Sequence, residues 1–223
     1  PEVLQFARNL ARAVFLKQEQ IQGYYWQSAF VTTQTPEMLT DDYNPVGGDS
    51  VALCSASHPP NPDASGPPIR SNLLAAATSL GTIFALQTAF DEASLLLTDR
   101  GNPSYTDFDE LWVGPRNRAA ANRAVFSPYQ PGGGDNDLNT MYKQVRVIVN
   151  RYIHVGLGGS NFHWFLVNSG RAKKNCYFVR STVGFTMLTD FVSDALVKKF
   201  IAYQVMGGVF INWDHIYGVA ATT

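Results

Sequence analysis

Residues 2–30, EVLQFARNLARAVFLKQEQIQGYYWQSAF, decide how the rest of the chain is read. Val3, Phe6, Ala7, Leu10, Val14, Ile21, Tyr24, Tyr25 and Ala29 fall at three- and four-residue steps, the spacing that gathers side chains on one face of an α-helix. At 1.5 Å per residue the pattern predicts one amphipathic helix about 40 Å long. A helix of that length is a backbone element around which other parts must be arranged.

Outward from it, Thr33–Ser50 carries Pro36, Asp41–Asp42, Asn44–Pro45 and Gly47–Gly48 and reads as a long polar connection. Val51–Cys54 is a short apolar strand candidate, followed by a proline-rich loop or arm over 55–72. The next helix is predicted from a Ser79 cap through Leu80, Ile83, Phe84, Phe90, Leu96 and Leu97 to a stop at Gly101. Leu111–Gly114 reads as a buried strand, with Pro115 opening a helix that runs to about Phe126. Gly132–Gly134 marks a loop, and Val145, Val147 and Val149 alternate with Arg146, Ile148 and Asn150 as a strand. Phe162–Val167 and Tyr177–Arg180, separated by the basic segment Arg171–Asn175, are expected to form a hairpin. A long strand over 195–206 is expected to break at Gly207–Gly208, and Val209–Trp213 is the last strand candidate. The class is α+β, with long helices and a non-repeating set of strands.

At 223 residues and 45% hydrophobic content the chain holds enough apolar mass for one sizeable core or two modest domains. No apolar run approaches the roughly 20 residues that cross a bilayer. Only 16% of residues are charged, well below the roughly 25% usual for a solvated domain, so part of the surface is expected to be covered by something other than water. The signs are segregated. Residues 1–111 hold 13 acids and 5 basic residues, whereas residues 112–223 hold 5 acids and 12 basic residues. Opposed halves suit contacts between copies, although two halves of one monomer can pair in the same way. Cys54 and Cys176 form no CxxC pair and are expected to be buried free thiols. Pro1–Glu2–Val3 shows neither a secretory leader nor an initiator Met, so processing, truncation or an upstream region is expected.

Catalytic signatures are sparse. His58, His154, His163 and His215 are scattered, without HExxH or zinc-spaced cysteines; Cys54 and His58 lie four apart, and ordinary packing is the favoured reading of that pair. Gly156-Leu-Gly-Gly-Ser160 precedes a strand rather than a helix, and no Gly-Lys-Ser or Gly-Lys-Thr occurs, so neither phosphate-binding loop is indicated. Asp41–Asp42, Asp91–Glu92 and Asp107/Asp109/Glu110 supply carboxylate pairs, whose convergence across a cleft spacing alone does not show. No Gly-x-Ser-x-Gly elbow is present. Two basic groups, Arg171/Lys173/Lys174 and Arg116/Arg118/Arg123, are suited to phosphate or to a neighbour's carboxylates, and equally to a solvated face. Trp26, Trp112, Trp164 and Trp213 are read as core, with a minority as interface anchors.

Taken in order, several blocks resemble one family. They are the long leading helix, Val51-Ala-Leu-Cys-Ser-Ala-Ser-His-Pro59, Ser71-Asn-Leu73, Leu97-Thr-Asp-Arg-Gly-Asn-Pro103, Leu111-Trp-Val-Gly-Pro115, Phe126-Ser-Pro-Tyr-Gln-Pro131, Asn136-Asp-Leu-Asn139 and Trp213-Asp-His-Ile-Tyr-Gly218. Together they resemble the C-terminal two-thirds of tailed-phage major capsid proteins with the HK97 fold, closest in flavour to the Mu-like major head subunit group. None of the blocks is a catalytic signature.

The resemblance implies an HK97-like architecture. Residues 2–30 would be the spine helix, residues 1–50 and 176–208 a peripheral-like domain, and residues 51–175 and 209–223 an axial-like domain. The family's N-terminal arm and extended loop cannot be placed in this sequence. Gly132–Gly134 would be an axial or inter-subunit loop. The implied function is structural: self-assembly as hexamers and pentamers into an icosahedral shell around double-stranded DNA, held by non-specific contacts, with a portal and auxiliary head proteins as further partners. The shell would be assembled in the host cytoplasm and would end in the virion. Arg171, Lys173 and Lys174 are then candidates to face packaged phosphate. No catalytic, cofactor-binding or metal-binding residue is expected, and no membrane partner. The alternatives are an encapsulin-like nanocompartment shell around protein cargo, and a soluble hydrolase using Asp107, Asp109, Glu110 or His58.

Overall fold

The computed structural model describes residues 2–32, 49–59, 70–74, 80, 83–98, 101–104, 106–130, 137–155, 160–192 and 197–221. The polar connection with Asp41–Asp42, most of the proline-rich segment, Ser79, Gly132–Gly134 and the glycines of 156–159 lie outside the described residues. The elements are α1 (Glu2–Gln27), a 3₁₀ turn (Ser28–Phe30), β1 (Leu73–Leu74), α2 (Ile83–Ser94), β2 (Glu110–Val113), a second 3₁₀ turn (Pro115–Asn117), α3 (Arg118–Phe126), β3 (Arg146–Val149), β4 (Trp164–Val167), α4 (Ser169–Asn175), β5 (Cys176–Val192), β6 (Val197–Phe210) and β7 (Ile216–Val219). The class is mixed α+β, as the sequence predicts. The chain forms two compact units: Pro1–Gln22 with Tyr177–Val209, and Gly23–Cys176 with Phe210–Thr223.

In the first unit, α1 contributes its opening turns and β5 and β6 form a two-stranded sheet. The predicted helix is there, but its last three residues tighten into a 3₁₀ turn in which Val31 N–H donates to Ser28 O at 3.1 Å, a common way for a helix end to satisfy its carbonyls. Ala7, Leu10 and Val14 of the predicted stripe are half-buried, whereas Phe6 is exposed. Gly207–Gly208 do not end β6, which runs through them to Phe210. A glycine weakens a strand without forbidding extended backbone.

The second unit is built on a five-stranded sheet of order β1-β7-β4-β2-β3. The central pairs β2–β4 and β4–β7 are antiparallel, and the outer pairs β1–β7 and β2–β3 are parallel. Every residue of β4 and β7 is buried, which explains why Trp164–Val167 reads as a continuous apolar run rather than an alternating one. Residues 23–30 pack on this sheet. Trp26 stacks on Trp112 at 4.4 Å between ring centroids and meets Phe165 edge-on at 5.3 Å, while Phe30 stacks on Phe165 at 5.3 Å. A side chain at Gly23 would collide with the Tyr152 ring, 2.2 Å from where its Cβ would sit, so the absent side chain is what allows this close approach.

Three predicted elements are corrected. The second helix ends at Ser94, and Gly101 sits in a turn beyond it at φ 80°, where Gly101 N–H donates to Thr98 O at 2.9 Å. Its buried face is made by Ala85, Leu86, Ala89 and Ala93, not by Phe84, which is exposed. The expected hairpin is absent: β4 pairs with β2 and β7, and the basic segment is the short helix α4. The final strand is Ile216–Val219 rather than Val209–Trp213. Spacing alone does not show which short apolar runs find a partner strand.

Asn72 ties the second unit together from a position with no exposed surface. Its Nδ2 donates to the carbonyls of Leu53 at 2.8 Å, Ile216 at 3.1 Å and Trp213 at 3.4 Å. Its Oδ1 accepts from Ser55 N–H at 2.8 Å and faces His58 Nε2 at 3.0 Å. Val51–Cys54 is therefore not a ladder strand: Ala52, Leu53 and Cys54 are buried in an irregular segment held by this side chain and by Cys54 N–H donating to Ala29 O at 2.7 Å.

Candidate interaction surfaces

The basic residues singled out from the sequence separate into two kinds. Arg171 turns inward, its Nη1 donating to Asp214 Oδ2 at 2.8 Å. Only Lys173 and Lys174 of that group are exposed, at the end of α4. The helix itself is capped by Asn168, whose Oδ1 accepts from Arg171 N–H at 2.7 Å. Asp109 reinforces the start, accepting from Ser169 N–H at 2.7 Å and Ser169 Oγ at 2.5 Å. Burial raises the Asp109 carboxyl, but those hydrogen bonds and the Arg146 charge outweigh it and hold it below the ordinary aspartate value. Asn168 directly before a short polar run is the sequence signal for this helix.

Arg116, Arg118 and Arg123, in contrast, are all exposed along the second 3₁₀ turn and α3. α3 packs on β2 and β3 through the buried Ala121, Ala124 and Val125, which leaves the arginines on its outer side. β3 is an edge of the sheet, and Lys143, Arg146 and Arg151 lie in or beside it, all exposed. Arg146 pairs with Glu110, whose other oxygen accepts from Trp112 Nε1 at 2.7 Å. No acid occurs in residues 111–134 or 138–189. The second unit thus carries a strongly basic surface around α3 and β3, the kind that attracts phosphate or another protein's carboxylates.

The first unit has a different surface. Phe6 is 70% exposed and Phe15 59%. Nine residues apart, they stand half a turn from each other and project from opposite sides of α1. On the ribbon, Met187 and Leu188 are both exposed and consecutive, so apolar side chains stand on both faces of β5. Ile201 and Tyr203 of β6 are exposed as well. In the first unit side chains are described for residues 5–20, 186–190 and 199–204, and none of these is fully buried.

Of the residues offered for hydrolysis, Asp109, Glu110 and His58 each make contacts within the second unit. Asp109 caps α4, Glu110 binds Trp112 and Arg146, and Asp107 is exposed. His58 is buried against the Trp213 ring, its centroid 4.3 Å away, with Nδ1 2.5 Å from Asp49 Oδ2. His163 meets Phe30 edge-on, and burial lowers its pKa. His215 is fully buried and pushed down to about 4 by burial first and by the Arg171 charge second, against an opposing hydrogen bond at the Asn212 backbone. Cys54 is a buried free thiol. Trp26, Trp164 and Trp213 are core residues and Trp112 is half-buried beneath Trp26. Among the described residues, no three of His, Cys, Asp and Glu gather closely enough to hold a metal ion, and no helix is long and apolar enough to cross a membrane. No family model and no curated protein sequence matches the chain.

Proposed function

We propose that this protein is a shell-forming subunit, a major capsid protein of the HK97 type that assembles as hexamers and pentamers around double-stranded DNA. The observation that carries this reading is the apolar surface of the first unit: Phe6 and Phe15 stand exposed on opposite sides of α1, and Met187 and Leu188 on opposite faces of β5. Exposed apolar surface of this kind is tolerated when copies of the chain cover it. The low charge fraction and the opposed charge halves support the same reading. The ordered sequence blocks from the leading helix to Trp213–Gly218 supply the family and, with it, the expectation of a portal, auxiliary head proteins and a place in the virion. The basic surface of α3 and β3 is the best candidate to meet packaged phosphate, ahead of α4, where Arg171 is already paired.

Electron microscopy of the purified native assembly, with particle mass and nucleic-acid content measured on the same sample, tests the proposal. Closed icosahedral particles containing DNA are expected. Closed particles filled with protein in place of DNA would select the nanocompartment reading, and a homogeneous monomer would overturn both.

A further inference from the structure

Between the end of α3 and the start of β3 the chain folds into a tightly framed knuckle, in which residues 123–130 meet residues 137–143. The buried Asn139 pins it: Nδ2 donates to the carbonyls of Ala124 and Ser127, each at 2.7 Å, and Oδ1 accepts from Met141 N–H at 2.8 Å. Asn139 N–H donates to Pro128 O at 3.1 Å and Gln130 N–H to Asp137 O at 2.8 Å, on either side of an antiparallel bridge between Tyr129 and Leu138. Lys143 N–H donates to Val125 O at 2.8 Å, which brings Tyr142 and Lys143 back against the end of α3. Lys143 sits at φ 56°, a left-handed conformation that a residue with a side chain seldom adopts. Its Nζ stands 4.8 Å from the centre of the Tyr142 ring. Backbone strain of this kind persists where surrounding contacts over-determine it, and it clusters where a protein holds a ligand.

The frame holds apolar groups outward. Phe126 is 49% exposed, Tyr129 55% and Leu138 79%, and Tyr142 is exposed as well. Phe126 follows Arg123 by three positions, which sets a ring and a guanidinium side by side on the outer side of α3. Residues directly opposite each other in an antiparallel bridge carry their side chains on one face, so Tyr129 and Leu138 stand together. Arg116, Arg118, Lys143, Arg146 and Arg151 are exposed around them, with Asp137 as the exposed acid of the knuckle. Flat rings set among cations match a polyanion that has flat faces of its own. Free phosphate or an acidic peptide answers the charge and leaves the rings bare. In a duplex the bases stack on one another, whereas a single strand can offer each base to an aromatic side chain.

We propose that this knuckle binds single-stranded nucleic acid, with unpaired bases stacked on Phe126 and Tyr129 and the phosphates drawn by Arg123 and Lys143. The inference deepens the reading of the basic α3 and β3 surface as phosphate-facing and rests on it, but it does not need the protein to build a shell. Stacking accepts every base, so binding is expected to be tolerant of sequence.

The test is fluorescence anisotropy of the full chain over a range of salt, with a labelled oligothymidylate of about 12 nucleotides, within the usual span of a single-strand site, and a labelled duplex of the same length. The oligothymidylate should bind at least about tenfold more tightly than the duplex. Phe126→Leu and Tyr129→Leu keep apolar bulk without an aromatic face. Each should weaken oligothymidylate binding by about fivefold or more, bring it towards the duplex value and leave the slope of log affinity against log salt as it was. Arg123→Gln should weaken both probes and make that slope shallower. Ultraviolet crosslinking of oligothymidylate to the unmodified chain should fall within residues 123–143, and it provides the answer should a leucine variant fail to fold. Equal binding of the two probes, an unchanged preference in both leucine variants, or crosslinks outside residues 123–143 would each overturn the inference and leave the phosphate reading standing. Binding of neither probe would overturn both. Leucine variants that bind oligothymidylate normally but sediment as smaller species would also overturn it, and would assign the rings to a second copy of the chain.

Discussion

His215 has no exposed surface, and the proton it declines in the folded state gives the protein an acid-sensitive stability. Its pKa falls from an ordinary 6.5 to about 4. Above the ordinary value both folded and unfolded chains hold it neutral, and the fold keeps its full stability. As pH drops from 6.5 towards 4, the unfolded chain takes up a proton that the folded chain refuses. Stability is then lost by up to about 3 kcal/mol, each tenfold difference in proton affinity between the two states contributing about 1.4 kcal/mol. Urea unfolding across that window should show the decline, and His215→Gln should flatten it; an unchanged slope in the variant would assign the acid sensitivity to other groups. Asn72 illustrates the other side of buried polarity. Its amide is satisfied by carbonyls from Leu53, Trp213 and Ile216, so a group costly to bury becomes the tie between chain segments 144 positions apart.

Among the elements, α4 depends on its cap more than a longer helix would, because seven residues supply few internal hydrogen bonds. Asn168→Ala should destabilise the protein by about 1 kcal/mol, read as a lower midpoint in denaturant, and should loosen the Arg171–Asp214 pair that the helix presents. α1 poses the opposite case. Its exposed Phe6 contributes little to the fold of a single chain, so Phe6→Ser should leave helical content and melting temperature nearly unchanged while shifting sedimentation from large assemblies to small species. A variant that still assembles as the unmodified protein does would show that this face is not covered by copies.

For the molecule as a whole, the exposed phenylalanines of α1 belong to the first unit and the exposed arginines around α3 to the second. If the α3 surface meets DNA, its contribution is electrostatic and blind to sequence. Replacing Arg116, Arg118 and Arg123 with Gln should then weaken duplex binding at every sequence and make the slope of log affinity against log salt shallower by up to roughly 3, at about 0.9 per lost phosphate contact. Salt titration by fluorescence anisotropy would measure it, and an unaltered slope would exclude this surface from DNA contact.

Much of the architecture follows from local pattern. The period of residues 2–30 specifies α1, the Gly114–Pro115 step places the β2-to-α3 junction, and the alternation around Arg146–Val149 yields β3, because helix and strand periods are imposed by neighbouring side chains competing for one buried face. The low charge and segregated signs of the surface are likewise properties of composition. Other features arise only when distant segments meet. Whether Trp164–Val167 pairs with the strand after it or with β2 and β7, and whether Arg171 faces solvent or Asp214, depend on contacts across tens of positions. Sequence determined which elements could form and what their surfaces are made of; tertiary structure decided which strands share a sheet and which charges find partners, since burial and pairing are set by long-range neighbours that local spacing does not encode.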